Sequence, residues 1–227
     1  ILCIVPARSG SKGIPKKNIK IFDGHPLLGH TIRYAADTGV FDRIVLSTDS
    51  LEMAEIGEKY GAEVPFIRPA MLATDTAKEI DVVLHLISWA ENKLENKFDV
   101  IIKLQPTSPL RTAEDVDNAL EQFMEKNADS VISVNECLVP PVWTNTLPND
   151  LSMKNFIREE IKTVNRQQLP TYYQLNGGVF VSGWDGLKKR KSWIGDNAYA
   201  YIMPKKRSVD IDEPIDLELV RILMKQK

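Results

Sequence analysis

Arg8, Lys12 and Lys17 crowd one short loop with Ser9, Gly10, Ser11 and Gly13, and Lys16 and Lys20 add two more cations. The apolar run Leu2–Val5 breaks at Pro6, just ahead of that loop. Small residues leave backbone N–H groups open, and fixed cations beside them supply the charge that polyphosphate needs. The pattern is not a Walker loop, because GxxxxGK[ST] is absent, and Ser11 stands where GxGxxG requires its second glycine. What remains is a triphosphate held by backbone amides and by separate cations. Asp210-Ile-Asp212 is a second constellation. Residues two apart on an extended segment face the same side, so both carboxylates can face one Mg²⁺. Asp212 also precedes Glu213-Pro214, a sequence equally suited to capping the last helix. His25, His30 and His85 fall in or beside expected helices, and no general base stands out.

These residues need elements to position them. Strands are expected over Leu2–Val5, Arg43–Ser47, Val64–Ile67, Val100–Leu104 and Ser130–Val134. Their Val- and Ile-rich runs are continuous rather than alternating, as in a parallel sheet covered on both faces. Helical spacing marks Leu27–Ala36, Leu51–Tyr60, Ile80–Asn92 and Ala113–Lys126, with Thr112 as an N-cap before Glu114 and Asp115. This alternation predicts an α/β fold, a mostly parallel sheet sandwiched by helices. In such sheets ligands sit beyond the carboxyl ends of the strands. The loops 6–18, 48–50, 68–69 and 105–111 should therefore converge on one face.

The rhythm fails between Asn135 and Pro170, where Pro140, Pro141, Pro148 and Trp143 suggest an inserted arm or hairpin within a single 227-residue domain. Val142, Trp143, Phe156 and Ile157 predict burial there, against a second copy of the chain in a homodimer. Returning strands are expected at 177–181 and 198–203, and a closing helix over Ile215–Lys225. The basic clusters Lys188–Lys191 and Lys205–Arg207 read as solvated faces rather than targeting signals.

Bulk properties narrow the function. A net charge of −2 over 227 residues gives no global attraction to nucleic acid or anionic membrane. No apolar run approaches a membrane span. Cys3 and Cys137 have neither metal-like spacing nor a CxxC partner, which predicts reduced, buried thiols in a cytoplasmic protein. The chain opens on a strand without an initiator Met, so further residues are expected before Ile1, and Ile1–Val5 is too short for a signal peptide.

Pro6-Ala-Arg-Ser-Gly-Ser-Lys-Gly-Ile-Pro-Lys-Lys-Asn18 resembles the signature of the acylneuraminate cytidylyltransferases. Similar segments follow in the same order: Ser47–Asp49, Arg68–Thr76, Leu104–Arg111, Gln167–Pro170, Leu175–Gly178 and Val209–Asp212. The resemblance implies a Rossmann-like nucleotidyltransferase that transfers CMP from CTP to the anomeric hydroxyl of a nine-carbon 2-keto sugar acid, releasing pyrophosphate. It implies that Arg8, Lys12 and Lys17 hold the triphosphate, with Ser9, Gly10 and Ser11 as donors, and that Asn18, Arg68 and Thr76 serve the nucleotide. Gln105, Thr107, Ser108 and Arg111 would line the sugar side, together with Arg166, Tyr173, Gln174 and Asn176. Asp210 and Asp212 become ligands of a Mg²⁺ cofactor, and Asp212 joins Arg8, Lys12 and Lys17 as a catalytic residue. Lys78-Glu79 departs from the small hydroxyl residues often found there. N-acetylneuraminate, legionaminate, pseudaminate and a deaminated analogue all remain open as substrates. Kdo is disfavoured, because its enzymes usually carry an acid where this chain has Gln-Pro-Thr-Ser-Pro. A non-catalytic nucleotide-sugar-binding protein is disfavoured by the retained Arg8, Lys12, Asp210 and Asp212.

Overall fold

A computed structural model describes residues 1–11, 13–95 and 97–225. Its strands are β1 (Leu2–Pro6), β2 (Ile21–Phe22), β3 (His25–Pro26), β4 (Arg43–Ser47), β5 (Val100–Lys103), β6 (Ser130–Glu136), β7 (Tyr173–Gly183) and β8 (Ala198–Ile202). Its helices are α1 (Leu27–Thr38), α2 (Leu51–Lys59), α3 (Glu79–Lys93), α4 (Ala113–Glu125), α5 (Trp184–Arg190) and α6 (Pro214–Met224). The main sheet runs β4-β1-β5-β7-β6-β8. Its pairings are parallel except where β7 runs antiparallel between β5 and β6.

Alternate residues of β1 explain why its apolar run is continuous. Cys3 and Val5 pack with Leu28 and Ile32 of α1 and Val116 and Ala119 of α4. Leu2 and Ile4 face the other way, toward Val83, Leu86 and Ile87 of α3. Each fully buried side chain of this size stabilises the fold by roughly 1.5–3 kcal/mol relative to exposure. Burial also pushes the Cys3 thiol up to about 12, so it is inert. A third cluster lies beneath the carboxyl edge. It joins Ile14 of the opening loop, Phe22 of β2, Leu110, Ile211 and Leu217 of α6.

Two local features depart from the sequence reading. The expected strand at Val64–Ile67 is reduced to isolated bridges, Val45 with Glu63 and Thr48 with Ile67. Pro65 has no N–H to donate, so the ladder cannot run through it. The turn at Asp23 (φ 44°) and Gly24 (φ 78°) closes a short hairpin between β2 and β3, the geometry that Asp-Gly favours. The basic run at 188–190 lies in the last turn of α5, where cations meet the negative end of the helix.

Other expectations hold. Thr112 caps α4, its hydroxyl accepting from the Asp115 N–H at 3.4 Å while Asp115 accepts from the Thr112 N–H at 2.9 Å. Asp115 is fully buried and also takes two hydrogen bonds from Arg207, at 3.0 and 2.6 Å. Burial alone would raise the Asp115 carboxyl, but the bonds from Arg207 and Thr112 outweigh it and hold the group below the usual range. This ion pair ties the segment after β8 to α4, just ahead of Asp210.

Between β6 and β7 the chain makes a long excursion. Its only helical features among the described residues are short 3₁₀ turns at Pro141–Trp143, Glu159–Ile161 and Arg166–Gln168. Val142, Trp143, Phe156 and Ile157 are half-buried. No helix among the described residues is long and apolar enough to cross a membrane.

Candidate active site

The carboxyl ends of β1 and β5, with the segment 68–79, open onto a cleft of about 350 Å³. Arg8, Gly10, Ser11, Lys17 and Asn18 line one wall; Arg68, Thr74 and Asp75 line another; Glu79, Gln105 and Thr107 close it. Lys12 lies outside the described residues.

The opening loop is anchored at several points. Ser9 donates to Asp49 through its N–H at 2.8 Å and its hydroxyl at 2.5 Å. Both of its donors are thus turned away from the cleft, and Ser9 acts by shaping the loop. Asn18 is buried and donates to the Arg8 carbonyl at 3.0 Å. Arg8 reaches the Thr74 carbonyl and the Asp75 carboxylate, each at 3.0 Å. Arg68 is buried and donates through Nε to the Ser47 hydroxyl at 3.1 Å and through Nη2 to the Ser47 carbonyl. Burial pushes its guanidinium down to about 10, against the raising influence of Asp49, so it still carries its charge at neutral pH.

The carboxylate pair stands across from this loop. Ile211 is fully buried while Asp210 and Asp212 are exposed, the alternation that the extended spacing requires. Lys17 donates to the Ile211 carbonyl at 2.5 Å and to Asp212 Oδ1 at 2.9 Å. Neither aspartate caps α6. Glu213 is the N-cap, in a capping box with Asp216, whose carboxylate accepts from the N–H groups of Asp212 at 2.9 Å and Glu213 at 2.7 Å. Asp210 lies beside Thr107, and desolvation of its carboxyl, reinforced by the Asp212 charge, raises it above the usual range. A cation between the two would relieve that repulsion. Among the described residues no group of three or more His, Cys, Asp or Glu side chains is gathered as a metal cluster. Two carboxylates nevertheless suit Mg²⁺, which keeps waters and substrate phosphates in its other positions.

Gly13 joins the two halves. A Cβ built there would lie 2.1 Å from the Asp212 carbonyl oxygen, so only glycine permits this approach.

Several residues expected on the sugar side are placed elsewhere. Arg111 is fully buried; its guanidinium donates to the carbonyls of Gln105 at 3.3 Å and Gly178 at 2.6 Å and to the Thr31 hydroxyl at 3.1 Å. It clamps the loop after β5 to β7 and does not line the cleft. Ser108 and Asn176 are also buried. Ser108 donates to the Asn176 carbonyl, and the Asn176 side chain bridges Ser133, the Gly178 N–H and Ser208. In this structure their polar groups are bonded within the scaffold. Arg166 donates to the Leu138 carbonyl at 2.8 Å within the excursion. Tyr173 and Gln174 are exposed at the start of β7, and neither they nor Arg166 line the cleft. Thr76 is exposed outside it, 3.4 Å from the Thr74 hydroxyl.

Sequence reasoning assigned no role to Asp49, Asp75, Glu79 or Lys103. Lys103 had a visible signal, a lone charge in the apolar run Val100–Leu104.

A glycine-bearing cationic loop meets paired carboxylates at the edge of a mostly parallel sheet, an arrangement suited to phosphates and a divalent cation. The chain belongs to the cytidylyltransferase family, whose model matches residues 2–180. It is 34% identical to the CMP-N,N'-diacetyllegionaminic acid synthase of Legionella pneumophila, over 99% of this chain and 96% of that one. It is 35% identical to the N-acylneuraminate cytidylyltransferase of Streptococcus agalactiae serotype V, over 93% of this chain but 50% of that longer one. The fold is shared with a CMP:2-keto-3-deoxy-manno-octonic acid synthetase solved with CTP, at a TM-score of 0.69 and 18% identity, covering 99% and 98% of the two chains.

The Gly13 contact makes a direct prediction. Gly13→Ala must push the loop off the Asp212 carbonyl, so CTP affinity measured by calorimetry should fall about tenfold or more, the scale of one or two lost charge-assisted hydrogen bonds. Unchanged affinity would show that the loop and the carboxylate segment do not act together.

Proposed function

We propose that the chain transfers CMP from CTP to the anomeric hydroxyl of a sialic-type nine-carbon 2-keto sugar acid and releases pyrophosphate. The observation that carries this reading is the meeting of the two charged halves, Lys17 bonded to Asp212 and Gly13 pressed against its carbonyl. The relatives named for legionaminic and acylneuraminic acids, each above 30% identity, supply the substrate class.

In-line attack by the sugar oxygen on the α-phosphorus places growing negative charge on the departing pyrophosphate. Positioning and charge neutralisation then supply the catalysis. Arg8, Lys17 and Lys12 would hold the triphosphate, with Gly10 and Ser11 offering N–H donors along it. Arg68, held against Ser47, and Asn18, held against Arg8, would shape the nucleotide end. Gln105 and Thr107 would meet the sugar. Asp210 and Asp212 would hold Mg²⁺, which would supply positive charge to offset that of the phosphates and would acidify a nearby hydroxyl. A hydroxyl acidified in this way can lose its proton to solvent, so this reading needs no dedicated general base.

The same reading makes the protein a cytoplasmic homodimer that docks through the 135–170 arm. Leu138, Val139, Leu147, Leu151 and Met153 are all exposed there, and Leu175 of β7 and Ile202 of β8 are exposed on neighbouring strands. An apolar surface of this kind marks a contact face. Sedimentation should give twice the chain mass, and an arm-truncated chain that remained dimeric would refute the interface.

Pyrophosphate release from CTP and Mg²⁺ across N-acetylneuraminate, legionaminate, pseudaminate and Kdo tests the function. The expected result is release with a nine-carbon sugar, loss of it on chelation, and at least tenfold less with Kdo. CTP binding without release for any sugar would overturn the reading.

A further inference from the structure

Lys103 is among the most buried large side chains of the protein, 1% exposed at the end of β5. Its ammonium lies 3.3 Å from the centroid of the Phe180 ring and 5.4 Å from that of Trp193. Burying a cation is costly unless it is paired, and its partner is Glu79, at 2.5 Å. Burial still pulls the Lys103 ammonium down to about 8, against the pull of Glu79 and, more weakly, Asp210. Glu79 opens α3 and lines the cleft. Besides Lys103, it accepts from Trp193 Nε1 at 3.1 Å and from Gln105 Nε2 at 3.1 Å.

The last of these bonds decides an orientation that a carboxamide otherwise leaves ambiguous. A carboxylate can only accept, so Gln105 must turn its NH₂ toward Glu79. Its Oε1 then falls beside Gly177, where a Cβ would be 2.1 Å away, and φ is +71°. That oxygen accepts from no described residue, and it is not among the buried polar atoms left without a partner. An open acceptor on the wall of a ligand cleft selects a donor. Lys103 matters to the same end, because an unbalanced Glu79 carboxylate would repel the anionic reactants.

Resting on the transfer reaction above, we infer that Glu79, charge-balanced by Lys103, is a positioning residue. It locks the Gln105 carboxamide so that Oε1 accepts an O–H or N–H of the acceptor sugar. Glu79 sets acceptor recognition without touching the reacting atoms.

The test is steady-state kinetics of Glu79→Gln, a near-isosteric change at a partly exposed side chain. A glutamine at 79 can donate as well as accept, so the Gln105 amide loses its single orientation. KM for the sugar should rise about tenfold, the scale of one hydrogen bond to a charged group, while KM for CTP stays within about twofold. Lys103→Met, whose thioether fits over the Phe180 ring, should raise the sugar KM in the same direction and serves if the first variant folds poorly. A lower melting temperature with both KM values unchanged would make the trio structural and overturn the inference. Wild-type protein that turns over no 2-keto sugar would overturn the functional reading, and this inference with it. Wild-type turnover with an unshifted sugar KM in both variants would overturn the inference alone.

Discussion

The site depends on the closure of the opening loop onto the segment that carries Asp210 and Asp212. Gly13 lies so close to the Asp212 carbonyl that no side chain fits, and Lys17 spans the same junction with two hydrogen bonds. Residues nearly two hundred positions apart in the chain are thereby joined at the rim of the cleft, which Lys17 lines and the two aspartates flank. The junction is sealed from below by apolar packing, with Ile14 from the loop and Ile211 from the other segment in one cluster. Hydrophobic burial fixes the distance, and the polar contacts fix the orientation.

A second layer lies under the loop after β5. Arg111, Ser108, Asn176 and Ser133 form a buried polar network that joins β5, β6 and β7 at their ligand-facing ends. Such a network stiffens the segments that it joins, although Arg111 Nε is buried without a partner. Here it holds the backbone of Gln105 and Gly178, so that the cleft wall is set before any ligand arrives. The antiparallel placement of β7 makes this possible, since its starting residues lie at the same edge as the strand ends of β5 and β6.

Much of this was legible in the sequence because the signals were local. Continuous apolar runs marked β1, β4, β5 and β6, and the period-two spacing of Asp210 and Asp212 placed both carboxylates on one side with Ile211 buried between them. The capping residues of α4 were equally plain. Three kinds of feature were not legible. Pro65 removed a donor that a Val-Pro-Phe-Ile run otherwise hides, so the expected strand thinned to two bridges. Asp23-Gly24 carried a hairpin signal, but the strands that it joins are too short to show a period. Arg111, Ser108 and Asn176 have side chains that suit a sugar, and only tertiary packing reveals that they are buried and bonded to neighbouring strands and loops. The Lys103–Glu79 pair belongs to this last kind, since its members come from β5 and α3.

The central claim is that a nucleotide's phosphates lie between the β1 loop and the Asp210–Asp212 pair. The most direct measurement is a crystal structure with CTP and Mn²⁺, using the anomalous signal to locate the metal. The account expects a metal peak within coordination distance of both Asp210 and Asp212, with the triphosphate running along Arg8, Gly10, Ser11 and Lys17. A triphosphate bound away from that loop, or a metal held by neither aspartate, would contradict it.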